Sequence, residues 1–300
     1  MARRRLLALV TGLSLVFSAC AGEPPPGEES NAAQAARFGL ISVTYGHNWA
    51  ETGEGMLLST AAQFVRYSDL NRAQVGRLLA LPLDPDRDLP GVDRCRIDDL
   101  SVDLKSSVPT EPESGSLELL EAGDLQVQTP SRNIRLAPKH FPGLLPFISG
   151  VIYGEAEASL VEVAGKVRAS SSGGEAVGAF VAQLGSPGLP RLEQVGSSGP
   201  SQAIALPRDR DLTLRWQPAS DTQIGDVLYL ELRFSKGARD QALRCRLADD
   251  GSFAIPQPLL TEVGGPAVLE IARLRRTAFM ASGLDQAELR VTVRDTADLQ

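Results

Sequence analysis

The sequence predicts an all-β protein with one or two short helices, built as two β-sandwich-like domains over 38–190 and 191–300. Three observations predict it. Apolar runs of strand length recur from Phe38 to the C-terminus, Gly, Pro, Ser and Asp break them, and patterns of helical period are scarce. Leu40 to Tyr45 and Leu57 to Tyr67 alternate, as half-buried strands do. Asp69 to Leu81 reads as a helix, with Asp69 as its N-cap and Pro82 as its stop. Val127, Ile134 and Leu136 lie in short runs closed by Pro130 and Pro138. Strands are expected next at Ile148 to Tyr153, Ala158 to Val167 and Ala176 to Leu184. The last third adds Leu212 to Trp216, Val227 to Phe234, Ala242 to Leu247, Val268 to Leu274 and Ala287 to Val293. Gln257 to Val263 reads as one short helix, ended by Gly264-Gly265.

Ahead of these strands, the chain opens with Arg3-Arg4-Arg5, an apolar run from Leu6 to Phe17, and Ser18-Ala19-Cys20. A basic start, a short apolar stretch and small residues describe an export signal over 1–19, too short to cross a bilayer as a permanent helix. Residues 20–37 are rich in Pro, Gly, Ala and Glu without apolar periodicity. They are expected to form a flexible tether. Beyond it there is length for one large or two ordinary domains, and no further membrane-spanning stretch. The formal charge of −7 becomes −10 without the three leader arginines. Such an acidic chain is a poor partner for nucleic acid, and none is expected.

Phe17-Ser18-Ala19-Cys20 resembles the lipobox of bacterial lipoproteins, in which an aliphatic residue, a small residue and Gly or Ala precede Cys. Phe17 stands where Leu is usual. The resemblance implies cleavage before Cys20 and acylation of that cysteine on sulfur and amine, with palmitate-type chains holding the protein on a membrane. Ala21, where an Asp would imply retention at the inner membrane, implies the cell outer membrane. The other reading is an ordinary signal peptide cut after Ala19, leaving a free thiol.

Farther along, Leu212-Thr213-Leu214-Arg215-Trp216-Gln217-Pro218 and Tyr229-Leu230-Glu231-Leu232 resemble a fibronectin type III or immunoglobulin-like sandwich. The resemblance implies that Trp216 is a core tryptophan; it implies no function. Arg94-Cys95-Arg96-Ile97 and Arg244-Cys245-Arg246-Leu247 are alike and both lead into acidic turns, which leaves internal duplication open.

The candidate chemistry is sparse. Cys95 and Cys245 are the cysteines that remain after Cys20, and in strands each would point away from its flanking arginines. Export makes them a candidate disulfide. The alternative is two separate buried thiols. Asp84, Asp86 and Asp88 alternate like the ligands of a calcium loop. Leu89, however, takes the glycine position of that pattern and Cys95 the glutamate position. Tyr45, His47 and Trp49 share one strand face, a candidate aromatic platform for a sugar or the rim of a core. Arg273, Arg275 and Arg276 read as a solvated basic stripe.

With only two histidines, His47 and His140, no catalytic set and no metal centre or cofactor is expected. The expected role is a non-enzymatic structural or adaptor lipoprotein that binds an envelope protein or surface polymer. The other readings are a carbohydrate-binding lipoprotein and a hydrolase with an unrecognised site.

Overall fold

The structure, a computed structural model, describes residues 35–49, 56–100, 115–140, 148–158, 162–199 and 204–300. The lipobox and most of the expected tether lie outside them. All the described residues belong to one compact unit, Ala33–Gln300.

One sheet of nine strands runs through that unit. Its order is β14 (Arg239–Leu247), β13 (Val227–Lys236), β16 (Ala267–Ala278), β17 (Gln286–Leu299), β1 (Ala36–Asn48), β2 (Leu57–Ser68), β4 (Ser116–Leu119), β8 (Ile148–Ala158) and β7 (Pro138–His140). A four-stranded sheet has the order β10 (Phe180–Gly185), β9 (Lys166–Ser171), β5 (Leu125–Gln128), β6 (Asn133–Leu136). A three-stranded sheet has the order β11 (Leu192–Val195), β12 (Leu212–Trp216), β15 (Ser252–Ile255). The protein is thus mainly β, as the alternating runs predict.

Both small sheets pack on the same face of the long one. Ile41, Val43, Leu289 and Val291 meet Val127, Val167, Ala169 and Phe180 in one core. Leu230, Leu232, Leu269, Ile271 and Leu299 meet Leu192, Leu212, Leu214, Trp216 and Ile255 in the other. Two sandwich lobes therefore exist, but they share a sheet. The boundary expected between 190 and 191 does not separate them. The reason is the central pairing: β1 lies parallel to β17 from Phe38↔Gln286 to Asn48↔Thr296. Alternation in a sequence reveals which face of a strand is buried, not which strand lies beside it.

Local departures have local causes. Helix α1 is Arg72–Leu78, not Asp69 to Leu81. Asp69 adopts φ 55°, outside the extended region an N-cap needs. Asn71 caps instead, its Oδ1 accepting from Gln74 N (2.9 Å) while Gln74 Oε1 accepts from Asn71 N (2.8 Å). Helix α2 is Pro85–Asp88, and α3 is the single turn Gln257–Leu260. The run expected as a strand from Ala158 to Val167 is interrupted: residues 162–165 lie outside any strand, and β9 begins at Lys166.

Arg273 and Arg275 are not a solvated stripe. Both are 3% exposed, on the inward face that continues from Leu269 and Ile271. Arg273 forms a bidentate pair with Asp249, with both bonds at 2.8 Å. Arg275 bonds both carboxylate oxygens of Asp226, at 2.8 and 2.7 Å. Their partners come from loops that close over the seam between the lobes, so burial is tolerated through pairing.

Candidate functional site

Tyr45, His47 and Trp49 do share a face, but it is the buried one. Tyr45 is fully covered, Trp49 is 4% exposed and His47 7%. No sugar can stack there without parting the lobes, so the candidate platform is corrected to a core seam. The Tyr45 hydroxyl faces Ser186 and Thr129 without reaching hydrogen-bond geometry, and burial raises its pKa. His47 Nδ1 lies 2.8 Å from Asp295 Oδ1, while Asp295 Oδ2 accepts from Leu192 N at 2.8 Å. Trp49 Nε1 donates to Leu192 O at 3.0 Å. Burial lifts the Asp295 carboxyl above its ordinary value, against the opposing pull of His47 and the Leu192 N–H.

Cys95 and Cys245 are bonded, with Cα atoms 4.1 Å apart. Strand β3 (Arg94–Asp99) runs along the outer edge of β14. Asp93 N donates to Arg246 O and Leu100 N to Asp240 O, so the two strands are antiparallel and the cysteines stand opposite each other. The similar sequences around them are two neighbouring strands.

Asp84, Asp86 and Asp88 do not converge. Asp84 caps α2, Asp86 pairs with Arg276 (2.7 Å), and Asp88 pairs with Arg87 (2.7 Å) and accepts from Asp84 N. Among the described residues no group of three or more His, Cys, Asp or Glu could hold a metal ion.

The alternation that buries Ile41, Val43 and Tyr45 turns Ser42, Thr44 and Gly46 to the opposite face. There Thr44 stands beside Thr292, and Gly46 beside Arg294. On the far side of β17, Ala272 neighbours Arg294, and Glu270 neighbours both Thr296 and Glu231. All of these opposite-face residues except Ala272 floor a groove of about 770 Å³, within the usual size of ligand pockets. Its rim is the 79–83 stretch between α1 and α2. That rim is fixed by Arg290, which donates to Leu83 O (2.8 Å), and by Leu83 and Leu89 packing on Val227, Tyr229, Ala272 and Leu274.

Two carboxylates stand on adjacent strands at one end. Like charges directly opposite repel, but each has its own arginine. Arg294 Nη1 donates to Glu270 (2.8 Å), and both Arg233 Nε and Arg244 Nε donate to Glu231. The Tyr229 hydroxyl donates to Glu270 at 3.4 Å. Burial, then the charges of Glu270 and Glu231, push this phenol well above its ordinary value, so it stays protonated. The end of the groove is therefore a neutralised hydrogen-bonding wall. The His47 side chain is directed to the other face, where its Nδ1 meets Asp295.

The sequence reading missed these residues, although the polar half of β1's alternation carried the signal. No protein-family model and no curated protein matches the chain. Among solved structures it is similar to the yeast delta-COP-I mu-homology domain complexed with a Dsl1 WxWxV peptide. That likeness has 9% identity over 89% of this chain and 98% of that one, with a TM-score of 0.23.

Proposed function

We propose that the chain is an exported, lipid-anchored envelope protein, a non-enzymatic adaptor that holds an envelope protein or surface polymer in the outer-face groove. The groove carries the reading: it is concave, hydroxyl-floored and closed at one end by carboxylates already paired with arginines, a surface for binding rather than for bond breaking. The Cys95–Cys245 bond supports export, because such bonds persist in oxidising compartments. The lipobox-like Phe17-Ser18-Ala19-Cys20 supplies the anchor, and Ala21 favours the outer membrane.

Labelling cells with a fatty-acid analogue tests the anchor. Wild type is expected to carry the label in outer-membrane fractions, and Cys20→Ser to lose it. Equal labelling of both would overturn the reading.

A further inference from the structure

We propose that the groove binds a neutral, polyhydroxylated polymer strand, held through hydroxyls that both donate and accept hydrogen bonds. The inference rests on the adaptor reading and names the ligand class of its groove.

Two atoms point to it. Arg294 Nε, a donor, and Gln63 Oε1, an acceptor, are buried in the groove's lining without a hydrogen-bond partner. Unpaired buried polar atoms are costly, and native structures usually satisfy them. An anion would satisfy only the donor, and a cation only the acceptor. A hydroxyl serves either. Arg294 can turn to a ligand, because its side chain is 37% exposed. Gly46 leaves it room: a Cβ there would stand 3.4 Å from Arg294 Nε.

Spacing argues for a polymer. Gln63 is the register partner of Leu40, and Arg294 that of Gly46. Six residues of β1 separate those levels, about 20 Å at strand rise. A single small molecule does not span that, whereas several linked units do. Between the two levels the floor presents Ser42, Thr44 and Thr292, side chains that donate and accept, while Leu40, Leu79, Ala80, Pro82 and Leu83 also line the groove. Charge complementarity favours a neutral ligand as well. Glu270 is matched by Arg294, and Glu231 by Arg233 and Arg244, so an ionic polymer would have to break a standing pair.

The test is a titration of the mature chain with cellohexaose, maltohexaose and chitohexaose. Anionic hexagalacturonate, cationic chitosan hexamer and a Ser/Asn decapeptide serve as rivals. At least one neutral hexamer is expected to bind at least tenfold tighter than its monomer, unchanged by added salt. Arg294→Lys keeps the charge facing Glu270 but removes the Nε–H, and Gly46→Val fills the floor; each is expected to weaken binding at least tenfold. Thr44→Val, which trades a hydroxyl for a methyl, gives the same readout with minimal disturbance should either variant fail to fold. Preference for a charged hexamer or the peptide, no binding of any neutral hexamer, or wild-type binding by the folded variants would overturn the assignment. Fatty-acid labelling is read independently, so an anchored adaptor whose groove holds something else is distinguishable from failure of the anchor itself.

Discussion

Replacing Arg273 with Met tests whether the inward arginines are structural. Arg273 bonds Asp249 twice and donates to Gly188 O and Gln217 O, tying together three separate segments. Counting each charged bond at about 1.5–3 kcal/mol would give roughly 6–12 kcal/mol. That overcounts, because the desolvation of a buried charge opposes the gain. Removing one partner of a buried pair typically costs about 3–5 kcal/mol. Here Asp249 keeps two donors, Trp216 Nε1 (2.9 Å) and Ala219 N (3.2 Å), which places the cost near the lower end, about 3 kcal/mol. Urea unfolding reads this as a lower midpoint at unchanged slope.

The pH dependence adds a signature that lost packing would not give. Burial alone would raise the Asp249 carboxyl, but Arg273 and Trp216 outweigh it and hold it below 3.8. A depressed carboxyl contributes stability above its unfolded value and loses it as pH falls through the folded one. The gap between wild type and Arg273→Met should therefore narrow below about pH 4. A loss under about 1 kcal/mol, of the size of an exposed pair, with no pH dependence, would refute the buried pair and restore the solvated stripe.

Other expectations follow from packing and covalent geometry. Trp216 is 1% exposed, so Trp216→Ala should destabilise by about 3–5 kcal/mol in the same assay. The Cys95–Cys245 bond spans 150 residues, and loop entropy gives it about 5 kcal/mol. Thiol counting on unfolded, unreduced protein lacking Cys20 should find none, and reduction should lower the melting temperature. Gly150 has φ 111°, and a Cβ there would lie 1.9 Å from Leu119 O. Gly150→Ala should thus cost more than about 2 kcal/mol and loosen the β4–β8 pairing, seen as faster amide exchange there.

The strands were legible wherever alternation was strong. Ile41, Val43 and Tyr45 read as one inward face, and they are. The same rule places Arg273 and Arg275 inward after Leu269 and Ile271. Charge argued the other way, and the partners that permit burial, Asp249, Asp226 and Asp221, sit in distant loops. His47 and Trp49 belonged to the rim-of-a-core alternative. Only the β1–β17 pairing shows that the rim is a seam between two cores. The groove was illegible for the same reason: Thr44 and Thr292 become neighbours through a parallel pairing between the two ends of the described chain. The helix after Asp69 begins two residues later than expected because Asn71, not Asp69, has the extended backbone and the reciprocal Gln74 that make a cap.

That pairing is the central claim, because it joins the lobes and assembles the groove floor from both ends of the chain. Spin labels at Thr44 and Thr292 test it most directly. As register partners on adjacent strands they stand about 5 Å apart at the backbone. Strong dipolar broadening of the continuous-wave spectrum is predicted, lost when either label is omitted. An unbroadened spectrum from the folded double-labelled chain would contradict the shared sheet and return the protein to two independent domains.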